Sequence, residues 1–462
     1  MQRTSLQLRN DALQIWHAGL EAVRSPRLIA NAVEVSGGVL QLAKHEFDLA
    51  GIERIAVVGG GKAGAGMAVA LEQRLGADIV QAKRLTGVVN VPADCVEATV
   101  AIELHVGRAA GINEPTEEGL RGVERMLELL AALGPRDLCI CLVSGGGSAL
   151  MPAPVAGLSI AEKAALTREL SACGATIEEI NAVRKSLSRV KGGGLAEACR
   201  AGRLVSLIIS DVMGDDGSMV SSGPTALGTA SPAAALRIID KYALTRLPAG
   251  VIAVDLLQKR MAERSDEAPA WQSRIDGVNR FGCCVHNAIV GDNNLAVMAA
   301  TRRARELGYA GVNSGDELAT GDVNQVAAGI AAAMNELHTQ GPLACLISGE
   351  PTVKLCSSER RGRGGRNQHL ALALASLRAD WRGTCFVSGG TDGEDGPTNA
   401  AGAFVDDEVV AAAMRQHLDF QSHLARNDSF TFFSSVDALL HTGPTHTNVC
   451  DLRVAVADPA LR

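Results

Sequence analysis

From Arg54 onward the chain alternates short apolar runs with amphipathic stretches. The apolar runs predict strands at 54–58 (RIAVV), 87–91 (GVVNV), 138–143 (LCICLV), 204–209 (LVSLII), 343–347 (LACLI), 384–388 (TCFVS) and 449–455 (VCDLRVA). Helical spacing predicts helices at 63–75, 116–133, 159–171, 176–189, 293–307, 321–338, 367–378 and 407–418, and the first 50 residues also read as helical. Strands rich in β-branched residues and separated by helices imply mostly parallel sheets covered on both faces. The expected fold class is α/β, with two domains, each a mainly parallel sheet with helices on both faces. The stretch 246–275 changes character and ends in a charged, proline-containing run. It is predicted to connect a domain spanning 1–245 to one spanning 276–462.

Strand ends share a polar signature at Ser144-Gly145, Ser210-Asp211, Ser348-Gly349 and Ser388-Gly389. Open parallel sheets bind ligands at the carboxyl ends of their strands, so these ends predict one or two site crevices. Leu138 to Ala161 is uncharged, but its glycines and prolines make it a buried strand and then a loop, not a membrane helix.

Composition narrows the function. A length of 462 residues suits two or three domains, and a net charge of -7 argues against a nucleic-acid partner. Aromatic residues are 3% of the chain, too few for base-stacking platforms. The 11 cysteines follow no disulfide framework and no zinc spacing, which suits a reducing, cytoplasmic compartment. The N-terminal stretch mixes charges into a helical pattern and does not read as a signal peptide.

Val57-Val-Gly-Gly-Gly-Lys62-Ala-Gly-Ala-Gly66 follows the first strand. Gly59-x-Gly61-x-x-Gly64 fits the dinucleotide fingerprint, yet the second strand ends Asn90-Val-Pro92 with no acidic residue for a ribose. The P-loop pattern fails because Ala63 follows Lys62. What remains is an anion site: Gly60 and Gly61 supply backbone N–H groups at a helix start, and Lys62 an ammonium. Ser144-Gly145-Gly146-Gly-Ser148 is a second such turn. Asn181, Arg184, Ser188 and Lys191 precede a third glycine run, with Arg184, Ser188 and Lys191 spaced for one helical face.

Asp211 ends the 204–209 strand, and Asp392 and Asp395 occupy a glycine-rich turn after 384–388. Carboxylates on such turns suit Mg²⁺ held together with substrate phosphates, or a general base in phosphoryl transfer; turn formation alone is the competing explanation. Arg360, Arg361, Arg363 and Arg366, with Asn367, follow Glu350 and form a basic turn suited to phosphate or carboxylate.

In order along the chain stand VVGGGKAGAGMA, LVSGGGSALMPAP, INAVRKSLSRVKGGGLA, IISDVMGDD, SSGPT, ISGEPTV, GRGGRNQHLALALA, SGGTDGEDGPTNAAGAFVD and TGPTHTNVCDL. Together they resemble the class II glycerate 2-kinase family, over about residues 10 to 458. The resemblance implies a Rossmann-like N-terminal kinase domain, a C-terminal MOFRL domain and a site in the cleft between them. It also implies phosphorylation of the 2-hydroxyl of D-glycerate by ATP, with Mg²⁺ or a similar divalent cation. Lys62, Asp211 and Arg184 are then the expected catalytic residues, and Asp211 and Asp392 the expected metal ligands. Gly60, Gly61, Ser144, Gly145, Gly146, Ser148, Asn181, Lys191, Glu350, Arg363, Arg366 and Asn367 are the expected contacts to hydroxy acid and nucleotide. A homodimer is one assembly left open. Two departures stand out: His105 is not followed by proline, and Ser186 stands where the family usually has histidine. The alternatives are a four-carbon sugar-acid kinase and an NAD(P)H-dependent hydroxypyruvate reductase, the latter disfavoured by the missing ribose carboxylate.

Overall fold

The computed structural model describes residues 3–461 except 113, 213, 215–216, 264–275, 315–320, 338–342, 349–350, 353–355 and 357–360. The chain forms two compact units, Leu28–Val290 and Met1–Arg27 with Gly291–Arg462.

The Leu28–Val290 unit opens with a small antiparallel sheet of β1 (Val33–Ser36), β2 (Val39–Leu42) and β3 (His45–Asp48). This corrects the all-helical expectation for the first 50 residues, where α-helix stops at Ala32. The cause is the Gly37-Gly38 pair, at φ 58° and 82°, which closes a two-residue hairpin between alternating apolar and polar residues.

The main sheet of this unit contains β4 (Ile55–Gly60), β5 (Thr86–Pro92), β6 (Ile102–Arg108), β7 (Leu138–Ser144), β8 (Arg203–Ile209), β9 (Gly277–Val278) and β10 (Cys284–Gly291). Their spatial order is β6-β5-β4-β7-β8-β10-β9. The run β6-β5-β4-β7-β8 is parallel throughout. The chain steps from β4 out to β6, then returns to place β7 on the other side of β4. That reversal is a Rossmann-type switch point, where open sheets bind ligands. Every residue of β4 and β7 is buried, as unbroken apolar runs in a doubly covered parallel sheet should be. One cover is the helix Glu117–Ala131, capped by Thr116 and acidic in its first turn. It packs Val123, Met126 and Leu130 onto Ala56, Val58, Cys139 and Cys141.

The predicted connection at 246–275 is corrected as far as it is described. Pro248–Glu263 is a helix of the same unit, with Ala249, Ala253 and Leu257 in a core with Leu166, Leu170 and Val183. Residues 264–275 lie outside the described residues.

The other unit contains β11 (Gly311–Ser314), β12 (Gly321–Asp322), β13 (Leu343–Ser348), β14 (Pro351–Thr352), β15 (Thr384–Gly390), β16 (Gly402–Asp406), β17 (Leu439–Leu440) and β18 (Asp451–Ala457). Its larger sheet has the order β11-β13-β18-β15-β16-β17. Here the expectation of a mainly parallel sheet is corrected, because only β11 and β13 pair in parallel. The pairs β13–β18, β15–β18, β15–β16 and β16–β17 are antiparallel. A strand buried on both faces is as apolar in either direction, so composition did not reveal the sense. β18 enters from the C-terminal segment and inserts between β13 and β15.

The helix Ser5–Ala22 packs on this second sheet, with Trp16 fully buried and its indole N–H donating to Leu452 O at 2.9 Å. A Cβ on Gly389 would lie 2.9 Å from the Trp16 ring. The N-terminal helix therefore belongs to the C-terminal unit, which corrects the predicted boundary at residue 1. Among the described residues, no helix is long and apolar enough to cross a membrane.

Candidate active site

Both glycine turns end neighbouring strands, with Gly60 of β4 in register with Val143 of β7. The backbones meet closely. A Cβ on Gly59, at φ 145°, would collide with the Leu142 carbonyl, and one on Gly61, at φ 150°, with Ser144. Glycine is needed there first for strand contact. Ser144 is fully buried and stitches the turns together, its hydroxyl accepting from Ala63 N at 3.0 Å. Lys62 N donates to Gly145 O at 2.9 Å, and Ser221 Oγ to Ser144 O at 2.6 Å. The Lys62 stem lies over Gly146, where an added Cβ would sit 3.0 Å from Lys62 Cγ. Thus Lys62, Gly60, Gly61, Gly145 and Gly146 come together at the switch point.

A serine relay continues from the second turn. Ser222 Oγ donates to Asn181 Oδ1 at 3.1 Å and so accepts from Ser148 Oγ at 2.8 Å. Ser221 and Ser222 both have positive φ, 52° and 63°, uncommon for residues with a Cβ. Sequence reasoning quoted this SSGPT segment but assigned it no site residue. Its available signal was the Ser-Ser-Gly-Pro turn.

The helix carrying Arg184 ends at Ser186, so the expected single helical face for Arg184, Ser188 and Lys191 is corrected. Ser188 instead builds the following turn, accepting from Val190 N and Lys191 N while donating to Ala153 O. Lys191 is buried and reaches Ser148 O at 2.8 Å. Burial pushes its ammonium well below the ordinary lysine value, reinforced by Arg184 and Lys163. Burial also lowers the Arg184 pKa. Lys163 was not singled out from the sequence. Burial, then Arg184 and Arg260, push it down in the same way.

Asp211 follows β8, the next strand after β7, and is half-buried. His105, on β6, directs its ring to Glu118 O at 2.8 Å. Asn90 at the end of β5 is fully buried and donates to Gly119 O and Leu150 O at 2.8 and 2.7 Å.

In the other unit, Arg366 makes a fork on Asp451 with Nε and Nη2 at 2.8 and 2.9 Å. Asn367 Nδ2 donates to the same carboxylate at 2.9 Å, and Asn367 Oδ1 accepts from Ser388 Oγ at 2.6 Å. Asp395 caps the helix Arg366–Leu377, accepting from Asn367 N at 3.0 Å and Gln368 N at 2.8 Å. Burial dominates there and pushes its carboxyl up to about 7; the two N–H groups oppose that and Asp451 adds to it. Asp392 is half-buried and accepts from Glu394 N at 3.1 Å. Arg363 does not join this cluster: it is exposed and lies over the Phe430 ring at 4.4 Å. Glu350 lies outside the described residues, as do Arg360, Asp215 and Asp216. Asp451 was missed by sequence reasoning, because it reads as one polar position inside the apolar strand predicted at 449–455.

Among the described residues, no three His, Cys, Asp or Glu side chains gather as a metal site. Mg²⁺ bound with phosphates asks only one or two carboxylates. Asp211 and Asp392, each in its own unit, fit that demand.

Two glycine turns at a Rossmann-type switch point, bordered by cations, define an α/β protein whose strand ends are suited to anionic ligands. Comparison with known proteins makes this specific. Residues 11–255 match a domain of unknown function, DUF4147, and residues 343–451 match the MOFRL family. Glycerate kinase from Rattus norvegicus is 36% identical over 519 residues, covering 99% of this chain and 94% of the rat protein. A putative hydroxypyruvate reductase from Agrobacterium vitis is 37% identical over 404 residues, covering 87% of this chain and 98% of its own. The crystal structure of a glycerate kinase from Thermotoga maritima aligns with a TM-score of 0.77 at 30% identity, covering 97% of this chain and 99% of that one. The chain belongs to the glycerate kinase family, with a DUF4147 region followed by a MOFRL region.

Proposed function

We propose that this protein is a glycerate kinase, which transfers the terminal phosphoryl group of ATP to the 2-hydroxyl of D-glycerate. Near full-length similarity to glycerate kinases supports the activity. The observation that carries the site is Lys62 lying along Gly146 between two adjacent strand-end turns. In this reading Lys62 and the N–H groups of the turns stabilise the phosphoryl group as it moves. Asp211 acts as general base toward the acceptor hydroxyl or as a metal ligand, and Asn181, Arg184 and Lys191 hold anionic groups. Asp392 is the second proposed metal ligand, and Arg366 and Asn367 shape the strand ends of their own unit. A divalent cation would supply charge neutralisation on the phosphates.

The reductase reading lacks its ribose partner. Asn90, at the position where an acid would serve, is buried and bonded to two carbonyls. We also infer a reducing, cytoplasmic setting, since the described cysteines are free thiols.

One experiment tests the function. The protein is incubated with ATP, Mg²⁺ and a panel of three- and four-carbon hydroxy acids, and the products are identified by ³¹P NMR. The expected product is 2-phosphoglycerate. Turnover of NADH with hydroxypyruvate and no phosphorylated product would overturn the reading. Four-carbon acids belong in the panel because Ser186 is fully buried and its hydroxyl has no partner among the described residues. A smaller side chain there leaves room for a longer acceptor.

A further inference from the structure

β6 is the outermost strand of the parallel run, and its last residue, Arg108, is only 3% exposed. Arg108 comes after His105, which is level with Asn90 and, through it, with Gly60. It therefore stands at the same strand ends as the glycine turns. One nitrogen holds the guanidinium in place: Nη1 donates to Ala109 O at 3.2 Å and to Ile112 O at 2.5 Å. Nε and Nη2 are buried and have no hydrogen-bond partner among the described residues. Both acceptors of Nη1 are neutral carbonyls, so they orient the group and leave its charge uncancelled. Arginine keeps that charge at any physiological pH, and a buried cation with a whole edge of donors unpaired is unfavourable until an anion joins it.

The surroundings of Arg108 tie it to the candidate site. Residues 109–112 are exposed, and this segment is fastened back onto the strand end by the Arg108 bond to Ile112 O and by Thr116 Oγ1 donating to Gly107 O at 2.5 Å. Gly107 packs on Leu150, the last residue of the short helix Gly147–Leu150 that leaves the second glycine turn. A Cβ on Gly107 would lie 3.2 Å from Leu150 Cδ2.

We propose that Arg108 seats the carboxylate of the hydroxy acid on its Nε–Nη2 edge. The assignment rests on the kinase reading above and names the residue that recognises the acid function of the acceptor. Shape and charge both favour a carboxylate over the phosphate chain of the nucleotide. The Nε–Nη2 edge offers parallel N–H groups that match the two oxygens of one carboxylate. One guanidinium balances one negative charge, whereas a terminal phosphate alone brings about 1.5 to 2 near neutral pH. The acid reaches this edge past the exposed residues 109–112, and the Nη1 bonds keep the fork in its plane.

The test uses the full chain, Arg108→Met, and two acceptors: D-glycerate and its neutral amide, D-glyceramide. In steady-state assays Arg108→Met should lower kcat/KM for D-glycerate at least about tenfold, as expected when a charged contact is lost, and leave D-glyceramide and the KM for ATP within about threefold. Equal losses for acid and amide would make Arg108 a structural residue and overturn the proposal. A rise in KM for ATP alone would assign the edge to phosphate, and unchanged constants would leave it without a ligand; either result also overturns it. Should Arg108→Met fail to fold, Arg108→Lys carries the same test, because an ammonium keeps the charge and loses the fork. It should weaken D-glycerate by more than about threefold and D-glyceramide by less, and an equal effect on both would refute the seat. If the wild type phosphorylates neither acceptor, the kinase reading fails, and calorimetry with D-glycerate still judges Arg108. Binding by the wild type should then weaken at least about tenfold in Arg108→Met, and no binding, or equal binding by both proteins, would overturn the proposal.

Discussion

The two units treat charge in opposite ways. In the Leu28–Val290 unit, the Lys163 and Lys191 ammonium groups point to the backbone carbonyls of Leu187 and Ser148, and Lys62 lies along a glycine turn. In the other unit, Arg366 is forked by Asp451, Asn367 is bonded at both ends, and Asp395 caps a helix. Ammonium groups bonded to neutral carbonyls are suited to a ligand that brings its own charge. A cluster that satisfies itself rigidifies the fold around it. The first arrangement holds function in reserve, and the second holds shape.

Lys62→Ala should break the comparison on its functional side. The kcat should fall by about 10² to 10³, the size typical of losing one stabilising donor, with little change in melting temperature. Near-normal turnover would remove Lys62 from the mechanism. Asp451→Ala should do the reverse. It leaves Arg366 and Asn367 without their shared acceptor and should destabilise the protein by about 2–3 kcal/mol, read from denaturant midpoints. A stable Asp451→Ala protein with collapsed activity would place that cluster on the functional side too.

A pH series sharpens the contrast. Burial raises the Asp395 carboxyl to about 7, well above its ordinary range, so the folded state favours the protonated acid. Its contribution is therefore fully present below the unfolded value of about 4 and is lost as pH rises through about 7. The melting temperature should drop between pH 5 and pH 8, and Asp395→Asn should flatten that slope. An identical slope in the variant would assign the titration elsewhere. The smallest effect is expected from Ser222→Ala, which cuts the relay from Ser148 to Asn181 and should cost about 1 kcal/mol in stability or substrate binding. No change in either KM or stability would leave the relay without consequence.

Much of the first unit was legible without coordinates. The β4 and β7 runs are apolar throughout and end in glycine turns, so strand, turn and helix follow from local chemistry. The hairpin around Gly37-Gly38 was equally local, since a glycine pair between alternating residues is a turn signal, but the helical reading of the N-terminus passed over it. Asp451 and the pair Ser221-Ser222 were harder. Their importance lies in partners 84 and 77 residues away, Asn367 for Asp451 and Ser144 for Ser221, and single positions do not announce such contacts.

By itself the sequence determined the local alphabet of this protein. Apolar runs of strand length, glycine turns that follow them, acids at their ends and the order of its motifs are all properties of adjacent residues. Tertiary structure alone decided three matters. It set the antiparallel sense of β18, placed the Ser5–Ala22 helix on the second sheet, and brought Lys163 and Arg260, from separate helices, onto the carbonyls of Leu187 and Ser186. Each depends on contacts between distant segments, where burial and charge act through space and leave no period or spacing along the chain to read.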